Sequence, residues 1–183
     1  AGCMGPTGEI LAPLGEVSIQ DVTTAFAAQA MALARGGADL LWIETISSLE
    51  EMQAALEGAS QAGLPIVSTM SFDTNGRTMM GITPADFARF VRDAEHPPTA
   101  FGANCGVGPS ELVVTVSNMA AASQVGDIIV AKGNCGIPEY VDGAIRYDGT
   151  PALMAAYARM AVDAGARIIG GCCGTTPEHV AVM

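Results

Sequence analysis

The stretch Arg167-Ile-Ile-Gly-Gly-Cys-Cys-Gly-Thr-Thr-Pro-Glu-His179 is the part of this 183-residue chain that most constrains its fold. It predicts a short apolar strand that ends in two glycines and two adjacent cysteines, followed by a third glycine and a helix start. In a regular strand Cys172 and Cys173 would point to opposite faces and could not share one metal ion. The three glycines permit a sharp bend, because glycine adopts backbone angles that other residues avoid.

A metal ion bound by this cysteine pair needs a further ligand from elsewhere in the chain. Cys105 stands at the end of another short apolar strand, in Phe101-Gly-Ala-Asn-Cys-Gly-Val-Gly-Pro109, and is the obvious third ligand. The pair also precedes the amide groups of a predicted helix N-terminus, where a thiolate is favoured. Cys3 and Cys135 are interpreted as small buried apolar residues, which is common for free cysteine.

The composition restricts the classes of protein that the chain can form. Half of the residues are apolar and 15% are charged, which argues against disorder and fits one domain with its own core. A formal charge of −11 argues against nucleic acid or an anionic membrane as a partner. Five cysteines, two of them adjacent, make a poor disulfide framework and favour the reducing cytoplasm. The oligomeric state stays open, with a homo-oligomer among the options.

Six strand–helix units follow one another along the chain. Each predicted strand is a continuous apolar run, as expected for strands that are buried on both faces of a parallel sheet. The predicted strands are 1–4, Leu40–Glu44, Pro65–Ser71, Ala100–Asn104, Asp127–Ala131 and Arg167–Gly171. Helices begin at capping residues such as Ser18 and at Thr-Pro pairs such as Thr83-Pro84. Residues 132–149 are predicted to form a long loop.

The positions of polar residues favour a barrel over an open sheet. Glu44, Asn104-Cys105, Asn134 and Cys172-Cys173 all fall at or just after the carboxyl ends of strands. In a (β/α)8 barrel these ends converge on one rim, whereas in an open sheet an intervening strand would separate Cys105 from Cys172. Such a barrel typically needs about 250 residues. The sequence therefore predicts an α/β fold, a (β/α)8 TIM barrel in which residues 1–183 form strands 3 to 8 and the first two units are absent.

The predicted site has the ligands for chemistry on sulfur. Three thiolates that bind Zn²⁺ and leave its fourth position open make a catalytic rather than a closed structural site. Such a centre is suited to hold a further thiol, which coordination deprotonates, so the site indicates alkyl transfer to sulfur. Glu44 is placed to receive an amino-acid ammonium group, with a structural ion pair as the alternative. Asn134 either orients the substrate, occupies the open position on zinc, or braces a loop.

Three other polar or aromatic side chains receive structural interpretations. Trp42 shares the strand face of Glu44 and is interpreted as part of the core. His96 and His179 lie in a proline-flanked loop and in a first helical turn, and both are interpreted as surface residues. Acid–base hydrolysis is therefore not predicted.

Several segments resemble the homocysteine S-methyltransferase family. They are Met4–Gly8, Ile43–Thr45, Gly102–Cys105, Gly133–Pro138 and Ile168–Thr175. The loop Thr69–Gly81 and residues 131–151 are most similar to the bacterial betaine–homocysteine type. The resemblance covers essentially the whole chain and implies a zinc (β/α)8 barrel, although the first two strands of the family have no counterpart. It also implies zinc binding by Cys105, Cys172 and Cys173, binding of the homocysteine amino group by Glu44, and a position near zinc for Asn134.

We therefore expect a zinc-dependent methyltransferase that makes methionine from homocysteine and a small methyl donor, betaine or a related onium compound. A quaternary ammonium donor needs an aromatic cage, to which Phe72, Tyr140 and Tyr147 are the available contributors. Two alternatives stay open. One is a homocysteine-activating module that uses methylcobalamin, methyltetrahydrofolate or S-methylmethionine. The other is a non-catalytic zinc- or thiol-binding fragment.

Overall fold

A computed structural model describes residues 1–73 and 75–183 and shows an α/β fold. Its strands are β1 (Gly2–Met4), β2 (Leu41–Ile46), β3 (Ile66–Met70), β4 (Ala100–Cys105), β5 (Ile129–Gly133), β6 (Pro138–Val141), β7 (Ala144–Tyr147) and β8 (Ala166–Gly171). Its helices are α1 (Ile19–Arg35), α2 (Leu49–Ser60), α3 (Pro84–Asp93), α4 (Pro109–Ala122), α5 (Pro151–Asp163) and α6 (Pro177–Val180). The six predicted strand–helix units are all present.

The helices begin where the sequence places capping residues. The side chains of Ser18, Ser48, Thr83 and Thr150 each accept a hydrogen bond from a backbone N–H in the first turn of α1, α2, α3 and α5. These bonds satisfy amide groups that have no partner within the helix. In the described part of the chain, no helix is both long enough and apolar enough to cross a membrane.

The main sheet is parallel, and its strands follow one another in the order β1-β2-β3-β4-β5-β8. The main core joins one face of this sheet to the helices; for example, Phe87 of α3 makes an edge-to-face contact with Phe101 of β4. A separate small cluster on the strands contains Val67, Ala100 and Val130, and it includes no helical residue. Helices therefore cover one face of the sheet, whereas a doubly wound sheet carries helices on both faces and reverses its strand order.

The sheet has two edges within the described residues, because β1 pairs only with β2 and β8 pairs only with β5. The fold is thus a parallel sheet of six strands that alternate with helices. This sequential arrangement, with one face free of helices, is consistent with part of a (β/α)8 barrel.

The long loop predicted for residues 132–149 contains an antiparallel hairpin. Strands β6 and β7 pair from Pro138 opposite Tyr147 to Val141 opposite Ala144. Asp142 and Gly143 both have positive φ, which is the conformation of a type I′ turn. Most of the hairpin is exposed, so its strands lack the apolar run by which the other strands were predicted. The Asp-Gly pair was the signal that could have identified it.

Two interpretations of single residues are wrong. Cys3 is exposed on β1, where it lies opposite Trp42 of β2 in the register, whereas Cys135 is buried as predicted. His179 is buried rather than on the surface. Its Nδ1 accepts a hydrogen bond from the backbone N–H of Thr176, so the imidazole closes the first turn of α6.

Candidate metal centre

The three cysteines predicted as ligands meet at the carboxyl ends of β4 and β8. The Sγ atom of Cys105 lies 3.5 Å from that of Cys172 and 3.6 Å from that of Cys173, and all three Sγ atoms lie within 4.8 Å of one another. Tetrahedral zinc with Zn–S bonds of 2.3 Å separates its sulfur ligands by about 3.8 Å. The spacing of the three thiols therefore fits one ion of this kind.

The thiols meet although β5 intervenes between their strands. Gly133, the last residue of β5, pairs with Cys105 on one side and with Gly171 on the other. An intervening strand was expected to separate these cysteines in an open sheet, so their approach is consistent with the rim of part of a barrel. Both cysteine-bearing segments bend toward each other just beyond the end of β5.

Of the three glycines that were predicted to permit the bend, one has a left-handed backbone conformation. Gly174 has a φ of 76°, but Gly170 and Gly171 are outside the left-handed region. Gly171 is needed for space instead, because a Cβ atom there would lie 2.2 Å from Oγ1 of Thr175. Cys105 itself has a φ of 61°, an uncommon conformation for a residue with a side chain. Backbone of this kind is typical of functional sites.

Asn134 braces the two cysteine-bearing segments. Its Oδ1 accepts a hydrogen bond of 3.0 Å from the backbone N–H of Cys173, and its Nδ2 donates one of 2.8 Å to the carbonyl of Gly106. The side chain is buried, so both contacts are shielded from water. These contacts agree with the loop-bracing alternative for Asn134, and a role toward substrate or zinc stays a prediction.

Asn104 supports the centre from below and was not predicted as a site residue. Its Oδ1 accepts hydrogen bonds from the backbone N–H of Thr45 at 2.9 Å and from Oγ1 of Thr69 at 2.7 Å. Its Nδ2 donates to Oγ1 of Thr45 at 2.8 Å and approaches Sγ of Cys172 at 3.8 Å. Thr45 has a φ of 66°, so Asn104 also holds an uncommon backbone conformation next to Glu44. Asn104 directly precedes Cys105, and this position was the one sequence feature that could have indicated its role at the site.

The thiols differ in acidity because they share hydrogen bonds. Hydrogen bonding with Cys105 lowers the pKa of Cys172 to about 5 against the effect of burial, with further help from Asn104 and the positive charge of Lys132. The same bond, together with burial, raises the pKa of Cys105. Of these two thiols, Cys172 is therefore the more acidic. Helix α6 has four residues, so its dipole is a minor contribution.

Glu44 forms an ion pair with Lys132, a residue that the sequence analysis did not single out. The Lys132 ammonium donates to Oε2 of Glu44, and the two side chains are 24% and 22% exposed. The ammonium also lies 5.6 Å from the centre of the Trp42 ring. Desolvation alone would lower the pKa of Lys132, but the bond and the charge of Glu44 outweigh it and raise the pKa. The 88-residue separation of the pair leaves no local signal.

The three aromatic residues proposed for a donor cage lie in different surroundings. Phe72 is 3% exposed and belongs to the main core, whereas Tyr140 is 78% exposed on the hairpin. Tyr147 packs beside the cysteines, since a Cβ atom at Gly174 would lie 2.4 Å from its ring. The ring of Tyr147 thus lies beside Gly174, which adjoins Cys173.

A parallel α/β sheet with three thiols that meet at its carboxyl strand ends is typical of the class of α/β proteins whose functional sites lie at this rim of the sheet. Within that class, the chain belongs to the homocysteine S-methyltransferase family, whose sequence profile matches residues 1–183. This membership agrees with the resemblance that the motifs indicated.

Solved structures show the same fold. The homocysteine methyltransferase MmuM from Escherichia coli is 22% identical in its apo form, with a TM-score of 0.77 over 98% of this chain and 60% of its own. Its metallated form is 24% identical, with a TM-score of 0.74 over 100% of this chain and 59% of its own. A more distant match is the carboxyl transferase domain of Rhizobium etli pyruvate carboxylase, 14% identical, with a TM-score of 0.54 over 92% of this chain and 26% of that chain. The chain thus spans about 60% of the length of MmuM.

Proposed function

We propose that this protein is a zinc-dependent S-methyltransferase that moves a methyl group from betaine or a related onium donor to homocysteine and forms methionine. The observation that carries the proposal is the convergence of the Cys105, Cys172 and Cys173 thiols at the strand ends. Membership of the homocysteine S-methyltransferase family supports the acceptor and the reaction type.

The donor set supports zinc as the metal. Three soft thiols that converge with tetrahedral spacing suit Zn²⁺ better than the hard cations, which prefer oxygen ligands. Zinc held by Cys105, Cys172 and Cys173 would bind the substrate sulfur as a thiolate at neutral pH. MmuM has been solved in a metallated form, which supports a metal site in the present protein.

The residues of the chain position the acceptor for methyl transfer. Glu44 receives the ammonium of homocysteine, and Asn134 and Asn104 keep the cysteine-bearing segments in place. The substrate thiolate then attacks the methyl carbon of the onium donor. A sulfur–carbon bond forms, the nitrogen–carbon bond breaks, and its electron pair leaves with the neutral amine. The step consumes no proton.

We further propose that residues 1–183 form strands 3 to 8 of a homocysteine-binding (β/α)8 barrel domain. The sequential strand order and the helices on a single face support this assignment. The greater length of MmuM is in keeping with it. The free thiols of all five cysteines support a reducing compartment, the cytoplasm.

Metal analysis combined with a donor panel tests the proposal. The purified protein should contain about one zinc ion per chain, the stoichiometry of a single site. It should convert homocysteine to methionine with betaine or another quaternary ammonium donor and fail with methylcobalamin, methyltetrahydrofolate and the sulfonium S-methylmethionine. Turnover with one of the latter three donors would reassign the methyl source. Stoichiometric zinc without turnover of any donor would support a non-catalytic zinc-binding protein.

A further inference from the structure

The Lys132–Glu44 pair lies one side-chain level below the candidate metal centre. Lys132 is opposite Asn104 of β4 and opposite Gly170 of β8 in the sheet register. Cys172 follows Gly170 by two residues, which corresponds to about 7 Å along a strand. In homocysteine two methylene groups separate the sulfur from the carbon that carries the ammonium and the carboxylate. A thiol held at the centre therefore brings both charges to the level of this pair.

The pair presents one positive and one negative charge in a partly dehydrated place. Each side chain is less than a quarter exposed, and the ammonium is further screened from water by the Trp42 ring. A ligand with a single charge would compete for one partner and leave the other uncompensated, which is costly at such a site. A zwitterion avoids this cost. It replaces the Lys132–Glu44 pair by one pair between Lys132 and its carboxylate and one between Glu44 and its ammonium, and it adds no net charge.

We propose that Lys132 is a specificity-determining residue that receives the α-carboxylate of the acceptor while Glu44 receives its ammonium. This inference rests on the proposed function and specifies its substrate class: the site selects zwitterionic amino-acid thiols over simple thiols. In the structure the two residues pair with each other.

Trp42 makes the exchange measurable without turnover. It is the only tryptophan in the chain, and the Lys132 ammonium lies 5.6 Å from its ring. Movement of this ammonium onto a ligand carboxylate should change the tryptophan emission. The affinities of the zinc-loaded protein and its variants are measured by isothermal titration calorimetry, and the fluorescence change of the wild type reports the movement of the ammonium. The ligands are homocysteine, 3-mercaptopropylamine, which lacks the carboxylate, and 4-mercaptobutanoate, which lacks the ammonium.

Homocysteine should bind about 10- to 100-fold more tightly than either analogue, the range expected for one charged hydrogen bond. In the Lys132→Met variant, the affinity for homocysteine should fall to that for 3-mercaptopropylamine. The affinity for 3-mercaptopropylamine itself should stay equal or rise, because Glu44 is no longer occupied by Lys132. The Lys132→Arg variant keeps the cation and should keep the preference for the carboxylate.

Two results would overturn the inference while the proposed function stands. One is a Lys132→Met protein that binds zinc and still prefers homocysteine over 3-mercaptopropylamine by the wild-type factor. The other is an equal loss of affinity for all three thiols in both Lys132→Met and Lys132→Arg, which would show a purely structural ion pair. A wild-type protein that binds neither zinc nor any thiol would instead contradict the proposed function itself.

Discussion

The side-chain oxygen of Asn134 accepts a 3.0 Å hydrogen bond from the backbone N–H of Cys173. Through its Nδ2 the same side chain holds the carbonyl of Gly106, next to Cys105. One buried amide therefore sets the separation of two segments that lie far apart in the sequence. Residues of this kind influence a metal site without touching the metal.

Replacement of Asn134 by Ala should weaken zinc binding about 10- to 100-fold, because both segments lose their common partner. Competition with a chromophoric chelator measures the affinity. Asn118 is exposed on α4, so Asn118→Ala is a matched control that should bind zinc like the wild type. Unchanged zinc affinity in Asn134→Ala would show that other contacts suffice to hold the thiols together.

Replacement of Asn104 by Ala should lower the free energy of unfolding by about 1 to 3 kcal/mol. The variant leaves the buried hydroxyl of Thr69 and the N–H of Thr45 without their acceptor, and this is the usual cost of such groups. Urea denaturation of the metal-free protein measures the change apart from any effect on zinc. Exposed Asn118 again provides the comparison, with an expected change within about 0.5 kcal/mol. A similarly small change for Asn104→Ala would contradict the bracing role.

Replacement of Cys172 and Cys173 together by Ser should abolish stoichiometric zinc, because it leaves Cys105 as the single thiolate of the centre. Cys3 is exposed on β1, and the Cys3→Ser variant should keep its zinc. Elemental analysis of the dialysed proteins gives both results. Zinc retained by the double variant would exclude the three-cysteine site.

Alkylation of the metal-free protein should label Cys172 at lower pH than Cys105. The lowered pKa of Cys172, about 5, means that its thiolate fraction rises as the pH passes 5 and is nearly complete at pH 7. Cys105 should react only at much higher pH, because its pKa is raised. Mass spectrometry after a short pulse of iodoacetamide at pH 5 to 8 locates the label. Labelling of Cys105 at lower pH than Cys172 would contradict the lowered pKa of Cys172.

The elements of the main sheet could be predicted because their signals are local. Apolar runs bounded by glycine and proline identified all six parallel strands, and Ser or Thr before a helix identified its first turn. The hairpin β6–β7 could not be found in this way, because exposed strands show no apolar pattern. Its turn at Asp142-Gly143 was the one local signal that remained.

The sequence by itself determined which thiols are available and where the strands end, since both depend on neighbouring residues. Only the tertiary structure decided that the Cys105 and Cys172 thiols meet past the end of β5 and that Asn134 and Asn104 hold them. It also decided that Glu44 already has a partner in Lys132. Such contacts join residues that are distant along the chain, so they depend on how strands are arranged beside one another, and no spacing in the sequence contains that information.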